Sequence, residues 1–117
     1  MSAVVIWHNP RCSKSRETLA LLRARGLEPE VLPYLETPPS AAEIGRVLDL
    51  LGMEPRALMR RKEPAYRAGG LDDPALPREA LIAAMADTPV LIERPVVLSG
   101  GKAALGRPPE AVLSILS

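Results

Sequence analysis

An almost continuous apolar run, Ala3-Val4-Val5-Ile6-Trp7, leads through His8-Asn9-Pro10-Arg11-Cys12 directly into a helical pattern. Apolar residues without polar alternation predict a strand over residues 3–8 that is covered on both faces. From Ser13 the spacing of Thr18, Leu19 and Leu22 predicts a helix to Arg25, with Gly26 as the residue just past its end. Glu30 to Tyr34 reads as a second strand, and Pro33 inside it argues for a sheet edge. Such a β-α-β unit has a crossover long enough for parallel pairing. It also puts Cys12, the only cysteine, in the turn between the first strand and the first helix.

The remaining chain extends this unit. After Thr37-Pro38-Pro39, Ser40-Ala-Ala-Glu43 forms a capping box for a helix to about Leu51 before Gly52. Helical stretches around residues 55–61, 64–68 and 77–87 make residues 40–87 a helical block. Val96 to Leu98 reads as a strand, Ser99-Gly100-Gly101 as a tight turn and Lys102 to Leu105 as the hairpin partner. Pro108-Pro109-Glu110 then opens a terminal helix over 111–116, with proline in the first turn where a missing N–H costs nothing. The expectation is an α/β fold: one domain over residues 1–117, a mixed four-stranded sheet with helices on its faces and a helical insertion at about 40–87.

At the start of a helix, unpaired N–H groups and the helix dipole favour an anion, so the Cys12 sulfur is expected to be a thiolate. Arg11, Lys14 and Arg16 lie within four residues and favour the same form. A free cysteine titrates near ~8.5, and sites of this kind bring it to roughly 3.5–7.5. The competing reading is a buried cysteine packed as a small hydrophobe. With one cysteine no internal disulfide can form, so a redox cycle must draw its second sulfur from another molecule.

Other residues suit an anion. Arg94, in Glu93-Arg94-Pro95-Val96, is confined to extended geometry before proline at a strand entry, where a cis bond can occur. Arg107 precedes Pro108 beside a helix start. Arg60, in Leu58-Met59-Arg60-Arg61-Lys62, is either a ligand or part of a solvated basic helix end. His8, the single histidine, could lower the cysteine pKa as imidazolium, hydrogen-bond the loop or thiol as a neutral ring, or merely pack in the core. Ser15 could donate to a bound anion or serve the helix start.

Composition excludes several classes. Fifteen basic against 14 acidic residues leave a formal charge of +1, so no global field attracts nucleic acid or an anionic membrane. Two tyrosines, one tryptophan and no phenylalanine supply no stacking platform for single strands. One histidine and one cysteine do not complete a zinc site, and neither Gly69-Gly70 nor Gly100-Gly101 matches a phosphate loop. No stretch approaches a membrane span, and no basic region precedes an apolar signal core, so a cytoplasmic location is expected.

Taken together, His8-x-x-x-Cys12-x-x-x-Arg16, Leu-Met-Arg60-Arg-Lys, Glu93-Arg94-Pro95-Val96-Val97 and Gly106-Arg107-Pro108-Pro109 resemble, in order, the motifs of the glutaredoxin-coupled arsenate reductases, the ArsC family. The short bacterial branch of that family is the most similar; the chain ends at Ser117, earlier than the longer reductases, and is expected to do without their tail. The resemblance implies a thioredoxin-like fold, with Cys12 as nucleophile and Arg60, Arg94 and Arg107 binding arsenate, a phosphate-like oxyanion. It further implies that Ser15 touches the anion, that His8 and Arg16 tune the thiolate and that Pro95 is cis. Glutathione would be the co-substrate and glutaredoxin the partner, with no bound cofactor or metal. Two other resemblances compete: a monothiol glutaredoxin-like oxidoreductase, with Ser15 where a second cysteine usually stands, and the Spx-type regulators that bind RNA polymerase through the same fold but use a cysteine pair this chain lacks.

Overall fold

Ile6 sits at the centre of a four-stranded sheet. In the computed structural model, which describes residues 4–116, it lies opposite Val31 on one side and Val97 on the other, and Val97 lies opposite Ala104. The strands are β1 (Val4–Trp7), β2 (Glu30–Leu32), β3 (Val96–Ser99) and β4 (Lys102–Leu105), in the order β2-β1-β3-β4. β1 and β2 are parallel; β3 is antiparallel to both of its neighbours. The first expected strand position, Ala3, lies outside the described residues. Pro33 falls just past β2 instead of inside it, where a residue without an N–H removes no bond from the ladder. β2 is nonetheless an edge strand.

One face of the sheet carries the core of this part of the chain. Val4, Ile6 and Val97 pack with Leu22 of the helix α1 (Ser13–Ala24) and with Val112 and Ile115 of the last segment. Ile6, Leu22, Val97 and Val112 are wholly buried, each contributing on the order of 1.5–3 kcal/mol by leaving water. α1 ends as its sequence requires: Gly26 has φ +80°, its N–H donates to the Arg23 carbonyl, and the Leu27 N–H donates to the Leu22 carbonyl. Gly100 and Gly101, both with positive φ, form the two-residue turn of the β3–β4 hairpin, so Ser99 belongs to β3 and not to the turn. The terminal segment is a 3-10 coil, Pro109–Ile115, where an ordinary helix is expected; its Ala111 and Leu116 N–H groups reach carbonyls three residues back.

By its contacts the chain divides into two compact units, residues 1–37 with 94–117, and residues 38–93. The second contains α2 (Ala41–Leu51), α3 (Pro64–Ala68) and α4 (Arg78–Asp87). Ser40 Oγ accepts the Glu43 N–H at 3.1 Å, and the Glu43 carboxylate accepts from Arg46. α2 packs on α4, burying Ile44, Val47 and Leu48 on one side and Leu81, Ile82 and Met85 on the other. The helical reading of 55–61 needs correction: a 3-10 turn covers only Pro55–Leu58, and the chain then extends. Met59 bridges Ile92 antiparallel, with Arg60 N–H donating to the Leu91 carbonyl and Glu93 N–H to the Leu58 carbonyl, both at 2.7 Å. Burial of Leu58, Met59, Leu91 and Ile92 explains why this pairing prevails over helix. Among the described residues no helix is long and apolar enough to cross a membrane.

Candidate active site

Cys12 is the N-cap residue of α1, with extended backbone (φ −95°, ψ 123°), and is 8% exposed. Its thiol makes no directed capping bond, yet it sits where the first-turn N–H groups point. Burial pushes the thiol pKa up, but it is outweighed: the Ser15 N–H, the charge of Arg94, the Lys14 N–H and a hydrogen bond from the Arg94 side chain together hold it below its ordinary value.

The source of the positive charge differs from the local expectation. Of the three cations adjacent in sequence, Arg16 donates through Nη1 to the Pro10 carbonyl at 2.8 Å, bracing the loop, and Lys14 leans toward Glu17 at 3.8 Å. Arg11 is exposed, and its N–H donates to Asn9 Oδ1 at 3.0 Å. A helix start directs side chains outward around its circumference, whereas a strand entry on the neighbouring loop can aim straight at the cap. Arg94 therefore supplies the charge that reaches the sulfur.

Arg94 is half-buried and precedes the buried Pro95, and the bond between them is cis. Arg107 is exposed and donates through Nη1 to the Arg94 carbonyl at 3.1 Å. Its bond to Pro108 is also cis, a feature that the sequence does not announce.

Beneath the loop, His8 Nδ1 and Ser15 Oγ share a buried hydrogen bond of 2.6 Å, and the Asn9 N–H donates to the same oxygen at 3.0 Å. The His8 pKa is lowered, by burial first and then by the charges of Arg23 and Arg16, so the ring is neutral at neutral pH. Of the expected roles, the hydrogen bond from the ring to the loop is the one the geometry contains. The Ser15 hydroxyl, which the resemblance puts at the anion, is fully buried and engaged by His8 and Asn9; its backbone N–H is the group that acts on the sulfur.

Cys12, His8, Ser15, Arg16, Arg94 and Arg107 thus form one connected constellation within the sheet unit. Arg60 belongs to the other unit, where its Nη2 lies 3.0 Å from Glu63 Oε2, each side chain 23% exposed. Two buried residues that motif reasoning does not single out for the site adjoin its neighbours in the chain: the Thr18 hydroxyl donates to the Lys14 carbonyl, and the Gly106 N–H to the Pro95 carbonyl. The one sequence signal for Gly106 is its place immediately before Arg107-Pro108.

The profile of the ArsC family matches residues 7–115. The chain belongs to the ArsC family. This ArsC-family chain is 58% identical over 114 residues to YfgD, an uncharacterised protein of Escherichia coli K12, covering 97% of this chain and 96% of that one. It is 49% identical over 117 residues to an arsenate reductase of Neisseria meningitidis, covering 99% and 100%. Its fold matches the solved arsenate reductase of Vibrio cholerae with a TM-score of 0.96 at 56% identity, covering 97% of this chain and 98% of that one, and is thioredoxin-like.

Proposed function

We propose that this ArsC-family protein reduces arsenate to arsenite, with Cys12 as nucleophile and glutathione and glutaredoxin as electron donors. The observation that carries the reading is Arg94 on Cys12: a guanidinium beside the sulfur stabilises a thiolate, and its planar fork is of the kind that suits an oxyanion. Similarity along its whole length to a relative named arsenate reductase supports the choice of arsenic.

Arsenate binds as phosphate would, its oxygens taken by Arg94, by Arg107 and by N–H groups at the start of α1. The Cys12 sulfur forms a bond to arsenic and an arsenate oxygen leaves as water, while the arginines hold the charge that shifts among the remaining oxygens. The glutathione sulfur then bonds to the same arsenic as a second oxygen leaves as water. A glutaredoxin thiolate takes that sulfur as a mixed disulfide and leaves the electron pair on arsenic, now arsenic(III), and water cleaves the Cys12–arsenic bond to release arsenite and the free thiol. Glutathione supplies the first sulfur and glutaredoxin the second, because the chain has no second cysteine. Arg60 enters the proposal from the family resemblance, as a further oxyanion ligand.

Purified protein is assayed for arsenite from arsenate with glutathione and glutaredoxin. Formation that requires both thiols and disappears in Cys12→Ser supports the proposal. No arsenite, or an unchanged rate in Cys12→Ser, refutes it.

A further inference from the structure

Gly106 follows β4 and precedes Arg107, and its N–H donates to the Pro95 carbonyl at 2.9 Å. Its φ is not positive, so backbone conformation alone does not require glycine there. Space does. A Cβ at this position would meet Thr18 Oγ1 far inside contact distance, Pro95 Cγ at 2.7 Å and Thr18 Cγ2 at 3.0 Å.

Neither neighbour has a flexible end that can swing away. Pro95 is a buried ring closed on its own backbone. Thr18 is wholly buried and β-branched, and its hydroxyl donates to the Lys14 carbonyl at 2.7 Å, with the Gly106 carbonyl at 3.5 Å. An added methyl must therefore displace a backbone, either that of α1 or that of the loop.

Those two backbones carry the groups that meet at Cys12. Thr18 lies one turn beyond Ser15 and is tied to Lys14; Pro95 follows Arg94, whose carbonyl is also held by Arg107. We propose that Gly106 is a positioning residue: its missing side chain sets the spacing between the first turn of α1 and the Arg94–Pro95 loop, so that the two converge on one sulfur. The inference deepens the reading of Cys12 as nucleophile and rests on it, but its test needs no arsenate.

Gly106→Ala and the double variant Thr18→Ala/Gly106→Ala are compared with the wild type by the pH dependence of Cys12 alkylation with iodoacetamide, and by circular dichroism for the fold. In folded Gly106→Ala the alkylation midpoint is displaced upward by about one pH unit, a roughly tenfold loss of thiolate below the midpoint. The double variant, relieved of both Thr18 contacts, returns toward the wild-type midpoint. A folded Gly106→Ala with the wild-type midpoint overturns the proposal. If Gly106→Ala does not fold, a folded double variant with a near-wild-type midpoint supports the spacing, and a folded double variant whose midpoint stays at or above that of a free cysteine, or one that also fails to fold, overturns it. Absence of arsenate reduction in the wild type refutes the enzymatic reading but leaves these thiol measurements decisive for the spacing.

Discussion

The Arg107 guanidinium donates to the carbonyl oxygen of Arg94 at 3.1 Å, so one arginine braces the backbone that aims the other at the Cys12 sulfur. Charge and position are thereby coupled across two loops of the sheet unit.

Arg94→Lys keeps the positive charge and removes the planar fork. The expected loss in kcat/KM for arsenate is about 10²-fold, the scale of one oxyanion-site donor. Steady-state kinetics check it; an unchanged kcat/KM removes Arg94 from the site.

Ser15→Ala strips His8 Nδ1 and the Asn9 N–H of their shared buried partner. Leaving such groups unsatisfied costs about 1–3 kcal/mol, read as a lowered midpoint in urea unfolding. An undiminished midpoint would show that the hydroxyl does not hold the loop.

His8 carries its own pH signature. Its folded pKa lies below the ordinary 6.5, so as pH falls through that ordinary value the unfolded chain takes up a proton that the native ring refuses. Stability is therefore lost from about pH 6.5 downward until the lowered folded value is passed. In His8→Gln this loss is absent, and urea unfolding at stepped pH values shows the two profiles diverging on the acid side. Parallel profiles contradict the assignment.

Glu63→Gln tests how much the Arg60 pair matters to folding. A partly exposed i,i+3 pair of this kind is worth about 0–1 kcal/mol, and the unfolding midpoint is expected to move little. A loss several times larger would mean that the pair is a structural anchor.

Several of these features are legible in the amino-acid sequence. Gly26 announces the end of α1, Ser40 the start of α2 and the paired glycines Gly100-Gly101 the hairpin, because each is a local requirement written in a few adjacent residues. The cysteine at a helix start is equally local. What cannot be read locally is direction. Arg11, Lys14 and Arg16 flank Cys12 in the chain, yet Arg16 turns to Pro10 and Lys14 to Glu17, while the charge comes from Arg94 at the entry of the adjacent strand. Arg60 reads as part of a helix end because its neighbours favour a helix, but buried pairing of Met59 with Ile92 overrides that preference. Gly106 matters through a contact with Thr18 that no spacing rule records.

Reactivity at this site depends on the ionisation of a single sulfur, and its pH titration by alkylation rate measures that directly. Wild-type protein is predicted to show a midpoint below the ~8.5 of a free cysteine, raised in Arg94→Ala by loss of the guanidinium and shifted by bound arsenate. A midpoint at or above ~8.5, unaltered by removing Arg94, would contradict it.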